Sequence, residues 1–114
     1  MHELGLVVYV IDAVEQLAKE KNLTEIGSIT LELGEVSSVV PDYFKDCWNY
    51  SHKKSDLLKN TELKIEIIPA LTVCSDCGKT YPTVEFKKKC PHCSSDDTYL
   101  LRGNEFNIKE IEAC

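Results

Sequence analysis

The chain has 114 residues, 43% of them apolar and 28% charged, which suits one compact core or one domain with a small insertion. Thirteen basic side chains against nineteen acidic ones leave a net charge of −6, a poor electrostatic match for nucleic acid or an anionic membrane. No basic segment precedes the apolar N-terminal stretch, and Asp12 and Glu15 interrupt it, so no secretory signal is expected. No apolar run reaches the ~18 residues that a membrane-spanning helix needs. The expected setting is the reducing cytoplasm, where six cysteines in so short a chain point to metal binding before disulfides.

Residues 2–21 read as an amphipathic helix. Leu4, Val7, Ile11, Val14 and Ala18 recur at steps of three and four, and Leu6, Val10 and Leu17 widen the stripe. Lys19 and Lys21 suit its C-terminal end, and Asn22-Leu23-Thr24 is the expected exit turn. Ile29, Leu31 and Leu33 alternate with Thr30 and Glu32, the pattern of a half-buried strand, and Gly34 weakens its far end. Pro41-Asp42 opens a second helix with Phe44, Cys47, Trp48 and Ser51 toward one side. Leu63, Ile65 and Ile67 form a second strand that Pro69 ends. Phe106 and Ile108 begin a third, and Ile111 falls out of phase, which predicts a bulge or a strand end there.

Residues 71–98 differ in composition, with four of the six cysteines and few large aliphatics. They read as an insert carried by a discontinuous α+β body of residues 1–70 and 99–114. Cys74-Ser-Asp-Cys77 and Cys90-Pro-His-Cys93 are two C-x-x-C turns twelve residues apart. Each turn aims two thiolates at one point, and two such turns complete a tetrahedron with metal–sulfur distances of ~2.3 Å. Gly78 permits the tight first turn, and Pro91 stiffens the second. A closed four-sulfur site has no open position, so it is structural and not catalytic. Zinc is the expected ion. Iron in a rubredoxin-like electron carrier is the rival, and two disulfides are the bland alternative. His92, inside the second turn, reads as a solvent-facing spacer.

Lys87-Lys88-Lys89 beside Phe86 raises a nucleic-acid adaptor as a further reading. Lys79 and these three are balanced within the insert by Asp76, Glu85, Asp96 and Asp97, so a solvated turn or a patch for an acidic protein partner is expected instead. No Gly-rich phosphate loop, G-x-S-x-G elbow or H-E-x-x-H pair is present, and no enzymatic activity is expected. Cys47 reads as core packing and Cys114 as an exposed thiol.

The other feature is Met1-His2-Glu3. The terminal amine, the His2 amide nitrogen and its imidazole Nδ1 can close fused chelate rings on one ion. Such tetragonal nitrogen ligation favours Ni(II) or Cu(II) over zinc. The Glu3 amide or carboxylate can supply a further ligand. Read alone, a histidine near a terminus is more often just solvated.

Taken in order along the chain, Met1-His2-Glu3-Leu4, Ile29-Thr-Leu-Glu-Leu-Gly-Glu35, Phe44 in a Pro-opened helix, Cys74-Ser-Asp-Cys-Gly78, Cys90-Pro-His-Cys93-Ser94 and Gly103-Asn-Glu-Phe-Asn-Ile-Lys-Glu-Ile-Glu112 closely resemble the HypA/HybF family, the nickel metallochaperones of nickel–iron hydrogenase maturation. The resemblance implies a small mixed three-stranded sheet packed with two helices, plus an inserted four-cysteine domain like a zinc ribbon. It implies nickel cargo at Met1, His2 and Glu3, and structural zinc at Cys74, Cys77, Cys90 and Cys93. It also implies delivery to the hydrogenase large subunit with a nickel-binding GTPase, service to urease maturation proteins in some organisms, and a monomer or homodimer. One departure is Gly5, where Ser is common in the family.

Overall fold

The computed structural model describes residues 3–113. Helix α1 spans Glu3–Lys21, strand β1 Ile26–Gly34 and helix α2 Pro41–Ser51, which runs into a 3₁₀ turn at His52–Lys54. Strands β2 (Glu62–Ile68), β3 (Leu71–Cys74) and β4 (Thr80–Pro82) follow. A single helical turn, α3 (Thr83–Phe86), and strands β5 (Thr98–Arg102) and β6 (Phe106–Ala113) complete the fold. The strands form two three-stranded sheets, ordered β2-β1-β6 and β4-β3-β5, so the class is α+β as expected.

The chain divides into two compact units. The first comprises Met1–Glu32, Val39–Glu66 and Asn107–Cys114; the second comprises Leu33–Ser38 and Ile67–Phe106. The division falls inside β1, β2 and β6.

In the first unit α1 and α2 pack on each other. The buried positions of α1 are Glu3, Val7, Val10, Val14 and Ala18; the last four lie in the expected stripe and Glu3 does not. Leu4 is exposed and Ile11 only half-buried, because the true stripe runs through a carboxylate that hydropathy cannot flag. Gly5 does not delay the helix start. The exit is a left-handed cap: Asn22 sits at φ 56, and the Leu23 N–H donates to the Ala18 carbonyl at 2.8 Å. Phe44, Cys47 and Trp48 are the buried face of α2. His52 is also buried; its ring stacks on Trp48 with centroids 4.9 Å apart, and Nδ1 lies 2.8 Å from the carbonyl of fully buried Leu58.

Strand β1 is the centre of its sheet, and it is more buried than the expected half. Besides Ile29 and Leu31, Ser28 and Thr30 are buried on the opposite side of the pleat. The flanking strands roof them over. Lys64 of β2 donates to Glu112 of β6 at 3.2 Å, and Lys109 of β6 donates to Glu66 of β2 at 2.8 Å. Ser28 Oγ donates to Glu112 at 2.5 Å beneath that bridge. Each exposed pair adds little stability by itself; together they close a polar face over a central strand. Strand β6 continues through Ile111 to Ala113, so the expected strand end at Ile111 is absent. The two exposed charge pairs tie β6 to β2 on either side of that change of phase.

In the second unit β3 lies between β4 and β5 and is antiparallel to both. Two glycines join the segment after β1 to the turn before β6. The Gly34 N–H donates to the Glu105 carbonyl and the Val36 N–H to the Gly103 carbonyl, each at 2.8 Å. A side chain at Gly34 would collide with the Gly103 backbone, and Gly103 itself stands at φ 115 against Ala70. The same crossing is closed by the Glu35 carboxylate, which accepts the Ala70 N–H at 2.9 Å, and by Glu105, which accepts the Gly103 N–H at 2.8 Å. Gly34 is thus an obligatory close approach and not merely a weak strand end.

Candidate metal centre

The two C-x-x-C turns fold alike because each closes its own backbone. In the first, the Gly78 N–H donates to the Cys74 carbonyl at 2.8 Å, and the Cys74 N–H to the Lys79 carbonyl at 3.0 Å. In the second, the Ser94 N–H donates to the Cys90 carbonyl at 2.9 Å, and the Cys90 N–H to the Ser95 carbonyl at 3.0 Å. Gly78 and Ser94 occupy equivalent left-handed positions, at φ 74 and φ 64. The turns are stitched together by the Ser75 N–H to the Asp97 carbonyl at 2.8 Å, by Ser95 Oγ to the Asp76 carboxylate, and by Thr98 Oγ1 to the Lys88 carbonyl at 3.0 Å.

This framework brings the sulfurs of Cys74, Cys77, Cys90 and Cys93 within 4.8 Å of one another. Cys74 and Cys90 are buried, and Cys77 and Cys93 face outward. The Cys74–Cys93 and Cys77–Cys90 sulfur separations are 3.4 and 3.7 Å. A disulfide needs about 2.05 Å, so these thiols are free. The edge of a tetrahedron with metal–sulfur bonds of ~2.3 Å is ~3.8 Å, so the donor set fits one tetrahedral ion of the zinc type. His92 is exposed; its contribution is a backbone N–H donated to Cys90 Sγ at 3.4 Å. Among the described residues no other group of three or more metal-type side chains converges.

The thiols do not share one acidity. Burial pushes Cys90 up, but the N–H groups of His92 and Cys93 and the thiols of Cys77 and Cys93 outweigh it and bring it down to about 7. Cys93 receives the Ser95 N–H, which lowers it; its bonds to Cys74, Cys90 and Cys77, with burial, outweigh that and push it up to about 12. The Lys79 N–H likewise lowers Cys77, and burial with the Cys90 and Cys74 thiols turns the balance upward. An arriving cation therefore meets its readily ionised sulfur at Cys90 and displaces protons from Cys77 and Cys93.

Of the expected nickel residues, Met1 and His2 lie outside the described residues. Glu3 is described, and the sequence held no sign of its setting. It is 3% exposed, and its carboxylate accepts the Val40 N–H at 3.2 Å. Val40 is the N-cap of α2 and has no side-chain capping bond of its own. The acidic residue in the first turn of α1 thus ties that helix to the start of α2.

A two-helix α+β fold with a closed four-thiolate centre is the class these observations define. Comparison with known proteins is specific within it. A family model described as "Hydrogenase/urease nickel incorporation, metallochaperone, hypA" matches residues 1–113. The hydrogenase maturation factor HypA of Geobacter metallireducens is 31% identical over 112 residues, 98% of each chain. That of Dehalococcoides mccartyi is 32% identical over 112 residues, 98% of this chain and 93% of its own. The solution structure of the nickel metallochaperone HypA from Helicobacter pylori superposes with a TM-score of 0.72 at 24% identity, over 99% of this chain and 97% of that one. A second HypA solution structure gives 0.76 at 23% identity, over 100% and 97%. These two likenesses bear on the fold. The chain belongs to the HypA family of hydrogenase and urease nickel metallochaperones. No helix among the described residues is long and apolar enough to cross a membrane.

Proposed function

We propose that this chain is a non-catalytic nickel carrier that takes up Ni(II) at its N-terminus and releases it for hydrogenase maturation. The observation that carries the reading is the family match running from residue 1 through both cysteine turns. Four thiolates already close a tetrahedron and leave no position for cargo. Nickel is therefore assigned to the opposite kind of site, the nitrogen-rich Met1-His2-Glu3 segment. The Met1 amine, the His2 amide and the His2 imidazole supply nitrogen ligands. Glu3 contributes through its backbone, since its carboxylate is held by Val40.

Cys74, Cys77, Cys90 and Cys93 hold a structural Zn(II), which cross-links the two turns when bound. Residues 71–98 then fold with the metal, and the two long helices and the sheet β2-β1-β6 fold without it. The receivers are the hydrogenase large subunit and a nickel-binding maturation GTPase, with urease maturation proteins where urease is made. The carrier acts in the cytoplasm as a monomer or homodimer.

Calorimetry tests the nickel site: His2→Ala abolishes specific Ni(II) binding and leaves zinc content unchanged. Unaltered nickel affinity refutes the assignment. Cys77→Ala tests the zinc module. It loses zinc and collapses the amide dispersion of residues 71–98 while Trp48 stays buried. A visible iron–thiolate band in natively purified protein would overturn zinc.

A further inference from the structure

The second unit carries a groove that none of the metal chemistry uses. It encloses about 470 Å³, within the roughly 300–1,000 Å³ of binding pockets. Val36, Val84, Tyr99 and Leu100 form its apolar walls, and Lys87 and Lys88 are its charged members. Val84, Tyr99 and Leu100 are 53%, 57% and 40% exposed, a cluster of large apolar side chains facing solvent. The hydroxyls of Thr72 and Thr83, also in the lining, pair with each other at 2.6 Å and so ask nothing of a ligand.

The lysines are held in place at some cost. Lys87 has φ 57 and ψ −122, a conformation that favours glycine and strains any other residue. Three bonds hold the turn there. The Lys87 N–H donates to the Thr83 carbonyl at 2.6 Å, buried Tyr81 donates its hydroxyl to the Lys87 carbonyl at 2.7 Å, and Thr98 Oγ1 donates to the Lys88 carbonyl. A turn that needed only to reverse the chain would be served better by glycine. Here it sets two cations beside an apolar trough, on a chain whose net charge is −6.

We propose that this groove docks a segment of a partner protein in which acidic side chains alternate with large apolar ones. The walls accept the apolar side chains, and the Lys87 and Lys88 ammonium groups meet the carboxylates. The occupant does not extend the sheet. Strand β5 is an edge strand, but its register slips between Leu71 and Thr72, leaving Leu101 as an extra residue that breaks the ladder. Nor is it nucleic acid, which the acidic chain repels. The inference goes beyond the nickel reading and does not depend on which ion is carried.

The test selects peptides from a random displayed library on zinc-loaded full chain, then measures the winners by fluorescence anisotropy and amide NMR. Enriched sequences combine Asp or Glu with Leu, Ile or Phe, and they shift the amides of Val84, Lys88, Thr98 and Leu100. Lys87→Glu with Lys88→Glu weakens binding at least about tenfold, the scale of lost charge pairing. Lys53→Glu with Lys54→Glu, also exposed, leaves it unchanged. Should the first reversal lose zinc, Lys87→Gln with Lys88→Gln takes its place. Nickel calorimetry on the same variants is unaffected, so a failure here is distinct from a failure of the carrier reading. The proposal is overturned by basic or uncharged winners, by no enrichment, by shifts elsewhere, by indifference to reversal, or by sedimentation showing a second copy in the groove.

Discussion

Replacing Glu3 by Ala removes the acceptor of the Val40 N–H at the start of α2. A hydrogen bond to a charged group is worth about 1.5–3 kcal/mol, and a carboxylate in the first turn of a helix adds about 0.3–1 kcal/mol. Glu3 is 3% exposed, so water does not readily replace it. The expected loss is about 2–3 kcal/mol, which lowers the midpoint of a unit of this size by about 10–20 °C. Trp48, the chain's single tryptophan, is 2% exposed on α2 and reports that unit by fluorescence. Glu3→Gln keeps a neutral oxygen for Val40 and loses about half as much. It also retains nickel affinity, because the carboxylate is committed to Val40. An Ala variant melting within about 2 °C of the parent, well under 1 kcal/mol, refutes the tie. So does a Gln variant that loses nickel as completely as His2→Ala.

Three further outcomes are expected. Gly103→Ala places a methyl against Ala70 at φ 115 and destabilises the second unit by more than about 2 kcal/mol, measured by urea unfolding. Ser94→Gly relieves the left-handed turn that Gly78 fills in the first knuckle; it stabilises the metal-loaded protein by about 1 kcal/mol in chelator-challenge or thermal assays. Lys64 and Lys109 are raised above the ordinary 10.5 by hydrogen bonds and attraction from Glu112 and Glu66, respectively. Their contribution is complete below 10.5 and fades as pH climbs through the raised values. Glu112 is lowered below the ordinary 4.5 by Ser28 and then Lys64, so its contribution is present above 4.5 and fades on acidification. Unfolding against pH flattens on the acid side in Glu112→Gln.

The cysteine centre was fully legible because its geometry is local: spacing within each turn decides where two sulfurs point. Helices α1 and α2 and the first two long strands were legible from periodicity. Their faces were less so. The α1 stripe was right at Val7, Val10, Val14 and Ala18 but missed Glu3, which is buried and bonds a backbone N–H thirty-seven residues away, a setting no hydropathy pattern encodes. Thr30 was read as a solvent position because its cover comes from Lys64, Glu66, Lys109 and Glu112 on two distant strands. Leu58 was missed because Leu57-Leu58 is an isolated pair among turns, with no period to say which side is buried. The short strands β3, β4 and β5 carry too few residues for a period to show. The groove was invisible for the same reason, although Lys87-Lys88-Lys89 beside Phe86 was its one trace in the sequence.

The twin knuckles also bear on how an ion leaves. Each turn is closed by its own backbone bonds, so each is a two-toothed claw in its own right, and the segment carrying β4 and α3 links Cys77 to Cys90. Opening one claw need not melt the other. Metal loss then passes through a half-held state in which the free claw remains at high effective concentration and recaptures the ion faster than it diffuses away. Such a centre is slow to empty without being rigid, and a competing chelator must intercept it while only two sulfurs hold.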